Sequence, residues 1–201
     1  MSSSSTSTIG RLATALGMVA VLGLICIALF ALLGGPFGTL NDVCVALGGV
    51  LSGCLAWRLY PTIRRNAPGL SSLALGCNWI GALLAVVGSG LVMFNVTGWF
   101  LAGLVTTFGY ALIGVWLLAT NCSALRIPTI PRRLAWFGII AGGISACGLL
   151  AAPGILARPD DMGSAPWFVT WSLYVGGLGW NILYTIWCLW LGRRSAMATA
   201  A

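Results

Sequence analysis

Residues 12–33, LATALGMVAVLGLICIALFALL, run for twenty-two positions without a charge. A helix crossing a hydrocarbon core of roughly 30 Å needs about 20 mostly apolar residues. Inside that core only helices and closed barrels satisfy their own backbone. The stretch therefore reads as a membrane span. It is longer than the 7–15 apolar residues of a signal core, and the polar start from Met1 to Thr8 lacks a basic cluster, so it reads as a retained first span.

Working outward, five more segments meet the same test, near 43–60, 72–94, 98–120, 133–154 and 167–192. The expected fold class is thus all-α: a polytopic integral membrane protein, one bundle of six transmembrane helices over residues 11–194. Residues 1–10 and 195–201 are expected as disordered tails. The composition agrees. Of 201 residues, 59% are hydrophobic and 6% charged, with mean hydropathy +1.00, against about a quarter charged in soluble domains.

The charges set the expected orientation. There are ten arginines, three aspartates, and no lysine, histidine or glutamate. Six spans put Arg11, Arg58, Arg64, Arg65, Arg126, Arg132, Arg133, Arg193 and Arg194 on one side, and Asp42, Arg158, Asp160 and Asp161 on the other. Arginine-rich short loops stay cytoplasmic, so both termini are expected in the cytoplasm. Five or seven spans would scatter the arginines. The pairs Arg64-Arg65, Arg132-Arg133 and Arg193-Arg194 recur about one helical hairpin apart. Either three hairpins share an origin, or arginine-capped ends alone give the periodicity.

Helices in lipid associate where small residues admit close backbone approach. Gly49 and Gly53 in span two, Gly81 and Ala85 in span three, and Gly138 and Gly142 in span five form such stripes. Tryptophans mark both interfaces: Trp57, Trp79, Trp116, Trp136, Trp187 and Trp190 at the arginine edge, Trp99, Trp167 and Trp171 at the other. Trp180 fits neither belt. The seven cysteines read as packing residues, with no pair placed for a disulfide and no Cys-x-x-Cys.

Only the polar residues within spans are candidates for chemistry. Asn78, Tyr110, Ser145, Trp180, Asn181 and Tyr184 fall near mid-span and form one candidate polar layer, with Ser52 and Thr185 beside them. They either line a site for a neutral or amphipathic ligand or make interhelical hydrogen bonds. Enzyme signatures fail. Gly143-Ile-Ser145-Ala-Cys147 breaks the Gly-x-Ser-x-Gly elbow, and no histidine or lysine can activate the serine. Asp42 is expected at the N-terminus of span two, where the helix dipole stabilises it. No metal site, cofactor or nucleic-acid partner is expected.

The segments Gly34-Gly-Pro-Phe-Gly-Thr-Leu-Asn-Asp42, Gly98-Trp-Phe-Leu-Ala-Gly103 and Gly109-Tyr-Ala-Leu-Ile-Gly114, with the six-span layout, resemble small multi-pass bacterial membrane proteins of unassigned function. The resemblance implies a bundle in the membrane and carries no activity. The expected function is non-enzymatic: an accessory or scaffolding subunit that binds other membrane subunits, itself, or a hydrophobic ligand such as a lipid or quinone. The alternative is a channel or facilitator for a small uncharged solute.

Overall fold

The computed structural model describes residues 3–64, 67–126, 130–158 and 161–200. Arg65 and Asp160 lie outside them. Six helices form, and no strand is present among the described residues: α1 Ser3–Leu33, α2 Phe37–Arg64, α3 Pro68–Met93, α4 Trp99–Ala124, α5 Arg132–Ala157 and α6, which runs from Trp167 to Leu178, through Gly179–Tyr184, into Thr185–Ala200. The first five are long and apolar enough to cross a membrane. α6 reaches that length only by continuing through its irregular turn.

Helix ends follow local chemistry. Gly34 and Gly35 both have positive φ, +66° and +68°, where an L side chain costs roughly 1–2 kcal/mol. This pair makes a turn so tight that α2 begins at Phe37, six residues before the expected start. Asn41 and Asp42 consequently sit in the second turn of α2, and the expected placement of Asp42 at a helix N-terminus is corrected. Pro68 opens α3, where its fixed φ suits the first turn. Within α5, Pro153 cannot donate to the ladder, and a 3₁₀ stretch, Cys147–Ala151, precedes it. The helices also enter both expected tails. Ile9 is buried, and a Cβ at Gly10 would lie 2.6 Å from that of Ser195.

Each helix packs antiparallel to the next. Gly23 faces Cys44, Gly49 faces Ala82 and Ala85, Gly81 faces Gly109, Gly142 faces Gly114 and Leu118, and Gly176 faces Gly148. Gly17 against Leu189 and Gly192 against Thr14 close the ring between α1 and α6. α4 leans inward to touch α2 and α6 as well, and it is the most buried helix. The alternation gathers Arg11, Arg58, Arg64, Arg126, Arg132, Arg133, Arg193 and Arg194 at one end of the bundle, and Asp42, Arg158 and Asp161 at the other.

One expectation is corrected by the packing. Trp116 and Trp187 are not interface anchors: both are buried, their rings meet edge to face, and the Trp187 indole N–H donates to Asn121 Oδ1 at 3.3 Å. A buried tryptophan needs such a partner, and Asn121 supplies it one turn from the end of α4. Cys26 and Cys44 are both buried free thiols. They are equally spaced about Gly35, so the tight turn sets them at one depth.

Candidate functional site: a cleft where α6 changes partners

The upper part of α6 packs on α5, where a Cβ at Gly179 would lie 2.5 Å from Ser145 N. Below the π-helical turn Gly179–Tyr184 α6 packs chiefly on α1 and keeps a lighter contact with α5, where Trp190 lies against Phe137. A π turn holds one extra residue, which advances the helical phase by about 100°, enough to present a new face to a new neighbour. The Thr185 hydroxyl donates to the Asn181 carbonyl at 2.7 Å within this irregular register.

Toward the end carrying the α1–α2 turn, α1 and α6 are no longer in contact, and a cleft lies between them. Its walls are Leu16, Ala20 and Gly23 of α1, Asn41, Cys44, Val45 and Gly48 of α2, Tyr110 of α4, and Trp180, Asn181, Tyr184, Thr185 and Cys188 of α6. The space between atoms is about 370 Å³ with the mouth included. The enclosed part has room for roughly one water.

Two polar systems meet here. Tyr110 floors the cleft: its hydroxyl donates to the Val45 carbonyl at 2.8 Å, and its ring stacks on Trp180 with centroids 4.2 Å apart. Behind it a buried chain crosses three helices. Asn78 Nδ2 donates to Ser52 Oγ at 3.2 Å, and Ser52 Oγ shares a 2.8 Å hydrogen bond with the Tyr184 hydroxyl. Tyr184 stacks in turn on Trp187. Gly48 is needed for this arrangement, because a Cβ there would fall 2.6 Å from the Tyr110 hydroxyl.

Some polar groups lack partners. The Trp180 indole N–H and Asn78 Oδ1 are buried without a hydrogen bond among the described residues. The half-buried Asn41 and Asn181 line the cleft, and neither side-chain amide is hydrogen-bonded among the described residues. No carboxylate, imidazole or amine lines the cleft. The polar groups it offers are amides, hydroxyls, an indole N–H and the thiols of Cys44 and Cys188, set among apolar side chains.

Of the residues singled out from sequence, Tyr110, Trp180, Asn181 and Tyr184 line this one cleft, and Asn78 joins it through Ser52. Ser145 stands apart. Its hydroxyl donates to the Ala141 carbonyl, its backbone lies against Gly179 and its Cβ against Gly114 in the α4–α5–α6 contact. Gly49, Gly53, Gly81 and Ala85 lie where α3 meets α2 and α4, and Gly138 and Gly142 where α5 meets α4; Gly53 lies against the Trp79 ring and Gly138 against the Asn121 amide. Asn41 and Asn121 were missed, one placed just before a span and one just after. The Gly34-Gly35 pair was the available signal for Asn41, since two adjacent glycines permit a turn short enough to draw it into the helix. Asp161 accepts from Ser164 N–H at 2.9 Å, a loop cap that holds its carboxyl below the ordinary value. Comparison with known protein families, curated proteins and solved structures finds no match.

Proposed function

We propose that the protein is a non-enzymatic membrane protein of the bacterial plasma membrane, with both termini cytoplasmic, acting as an accessory subunit that binds a hydrophobic ligand in the α1–α6 cleft. The ligand class is a neutral lipid-soluble molecule with a hydrogen-bonding head, a lipid or quinone. One observation carries this reading: a mostly apolar cleft contains two amides and lies against an indole N–H, none with a protein partner. Apolar sites with a few convergent polar groups are the usual form of small-molecule sites, and unpaired polar groups in a dry setting are costly until something meets them.

The channel reading has less behind it. The cleft and a second pocket at the arginine end share no lining residue, whereas a solute route needs continuous polar space. Gentle purification in native lipid followed by mass spectrometry tests the proposal. The expected result is a retained neutral molecule that is depleted at least tenfold in Asn181→Leu. A protein with nothing retained, and solute flux in liposomes abolished by the same substitution, would overturn it in favour of the channel.

A further inference from the structure

The arginine end holds the second pocket, between α2, α3 and α4. We infer that it binds the phosphate headgroup of an anionic lipid, with one acyl chain against its apolar wall. Four independent features converge there.

The first is charge. Eight described arginines gather at this end, and the two described aspartates, Asp42 and Asp161, belong to the opposite one. Among the described residues no carboxylate side chain lies at the arginine end. The Arg64 guanidinium lies 5.7 Å from the centre of the Tyr60 ring, and Tyr60 lines the pocket. The second is the start of α3. Ala67 precedes Pro68 with no side-chain cap, so the N–H groups of Gly69 and Leu70 have no intrahelical acceptor. An uncapped N-terminus of a 26-residue helix is a favourable place for an anion.

The third feature is Thr120. It is 2% exposed, it lines the pocket from α4, and its hydroxyl makes no hydrogen bond among the described residues. The neighbouring hydroxyls are all committed: Ser71 donates to the Ala67 carbonyl, Ser123 to the Ala119 carbonyl, and Tyr60 pairs with Ser72 at 3.0 Å. Thr120 thus remains as a free donor facing an otherwise satisfied wall. The fourth is shape. Ile63, Leu70, Ala74 and Trp116 give the pocket an apolar side, and its space of about 250 Å³ opens outward. A free phosphate would leave that side uncovered, while a phosphodiester with an acyl chain covers both. The lining itself is uncharged, and the arginines gathered at this end supply the field that draws anionic lipid heads to it.

The test is a thermal-shift titration of the full chain in nanodiscs, raising the phosphatidylglycerol fraction in phosphatidylcholine. Inorganic phosphate in pure phosphatidylcholine discs forms the parallel arm. Phosphatidylglycerol should raise the melting temperature saturably, and phosphate should not. Thr120→Val, which removes only an unpartnered hydroxyl, should fold as well as the parent in phosphatidylcholine and need about tenfold more phosphatidylglycerol for half its effect. Arg64→Gln should weaken the response further, whereas the remote pair Arg193→Gln and Arg194→Gln should leave half-saturation unchanged. Protection by phosphate alone would overturn the lipid assignment. A response equal in Thr120→Val and the parent, or lost equally with the Arg193 and Arg194 changes, would reduce it to diffuse charge attraction and overturn the site. The α1–α6 cleft is not involved, so either outcome leaves the cleft reading to its own test.

Discussion

Single atoms decide much of the core of this bundle. The Tyr184 hydroxyl is the end of the Asn78–Ser52–Tyr184 chain, and Tyr184→Phe removes it without changing the packed ring. Interhelical hydrogen bonds in membranes average about 0.6 kcal/mol and reach about 1.7. Because Ser52 and Asn78 are fully buried, the loss belongs near the upper figure, read as reduced resistance to denaturation in mixed micelles. At the surface, Asp161 gives a pH signature. Its hydrogen bond from Ser164 N–H lowers its folded pKa below the ordinary 3.8. The cap is therefore fully present above the unfolded value and is lost as pH falls through the lower folded one. Amide exchange of Ser164, corrected for its intrinsic pH dependence, should accelerate across that acidic window, and Asp161→Asn should abolish the pH dependence. Retention of the dependence in Asp161→Asn would assign it elsewhere.

The glycines show how element packing was written and how much of it was legible. Gly81 and Gly76 look alike in sequence, five residues apart on α3. At Gly81 a Cβ would lie against the Gly109 carbonyl and 3.0 Å from Ile113, so Gly81→Ala should destabilise by about 1–3 kcal/mol as backbones are forced apart. At Gly76 nothing lies within 4 Å, and Gly76→Ala should stabilise by about 0.4–1 kcal/mol. Opposite signs in one unfolding assay check the α3–α4 interface; matching signs would refute it. Hydropathy made the six helices readable, because a run such as 12–33 admits no other solvent. Phase and depth were not readable. Trp187 has the composition of an interface anchor, and only the tertiary position of Asn121 makes it core. The π turn at Gly179–Tyr184 has no sequence signature, yet it redirects α6, builds the cleft and separates Ser145 from the polar residues it was grouped with. Asn41 was hidden by a boundary that two glycines moved.

At the scale of the molecule, antiparallel succession and the arginine asymmetry are one statement: six alternating helices bring every described guanidinium except that of Arg158 to a single end. Eight described arginines at one end leave a concentrated field there, which in the proposed orientation would meet an anionic inner leaflet. Cysteine scanning in a cysteine-free background tests this most directly, using Val96→Cys in the α3–α4 turn, Ser164→Cys before α6, Gly69→Cys at the start of α3 and Met197→Cys near the end of α6, all exposed positions. In sealed, right-side-out membranes a membrane-impermeant maleimide should label 96 and 164, and should reach 69 and 197 only after permeabilisation. Labelling of 69 and 197 from opposite sides, or of 96 and 197 together in sealed membranes, would contradict the bundle described here.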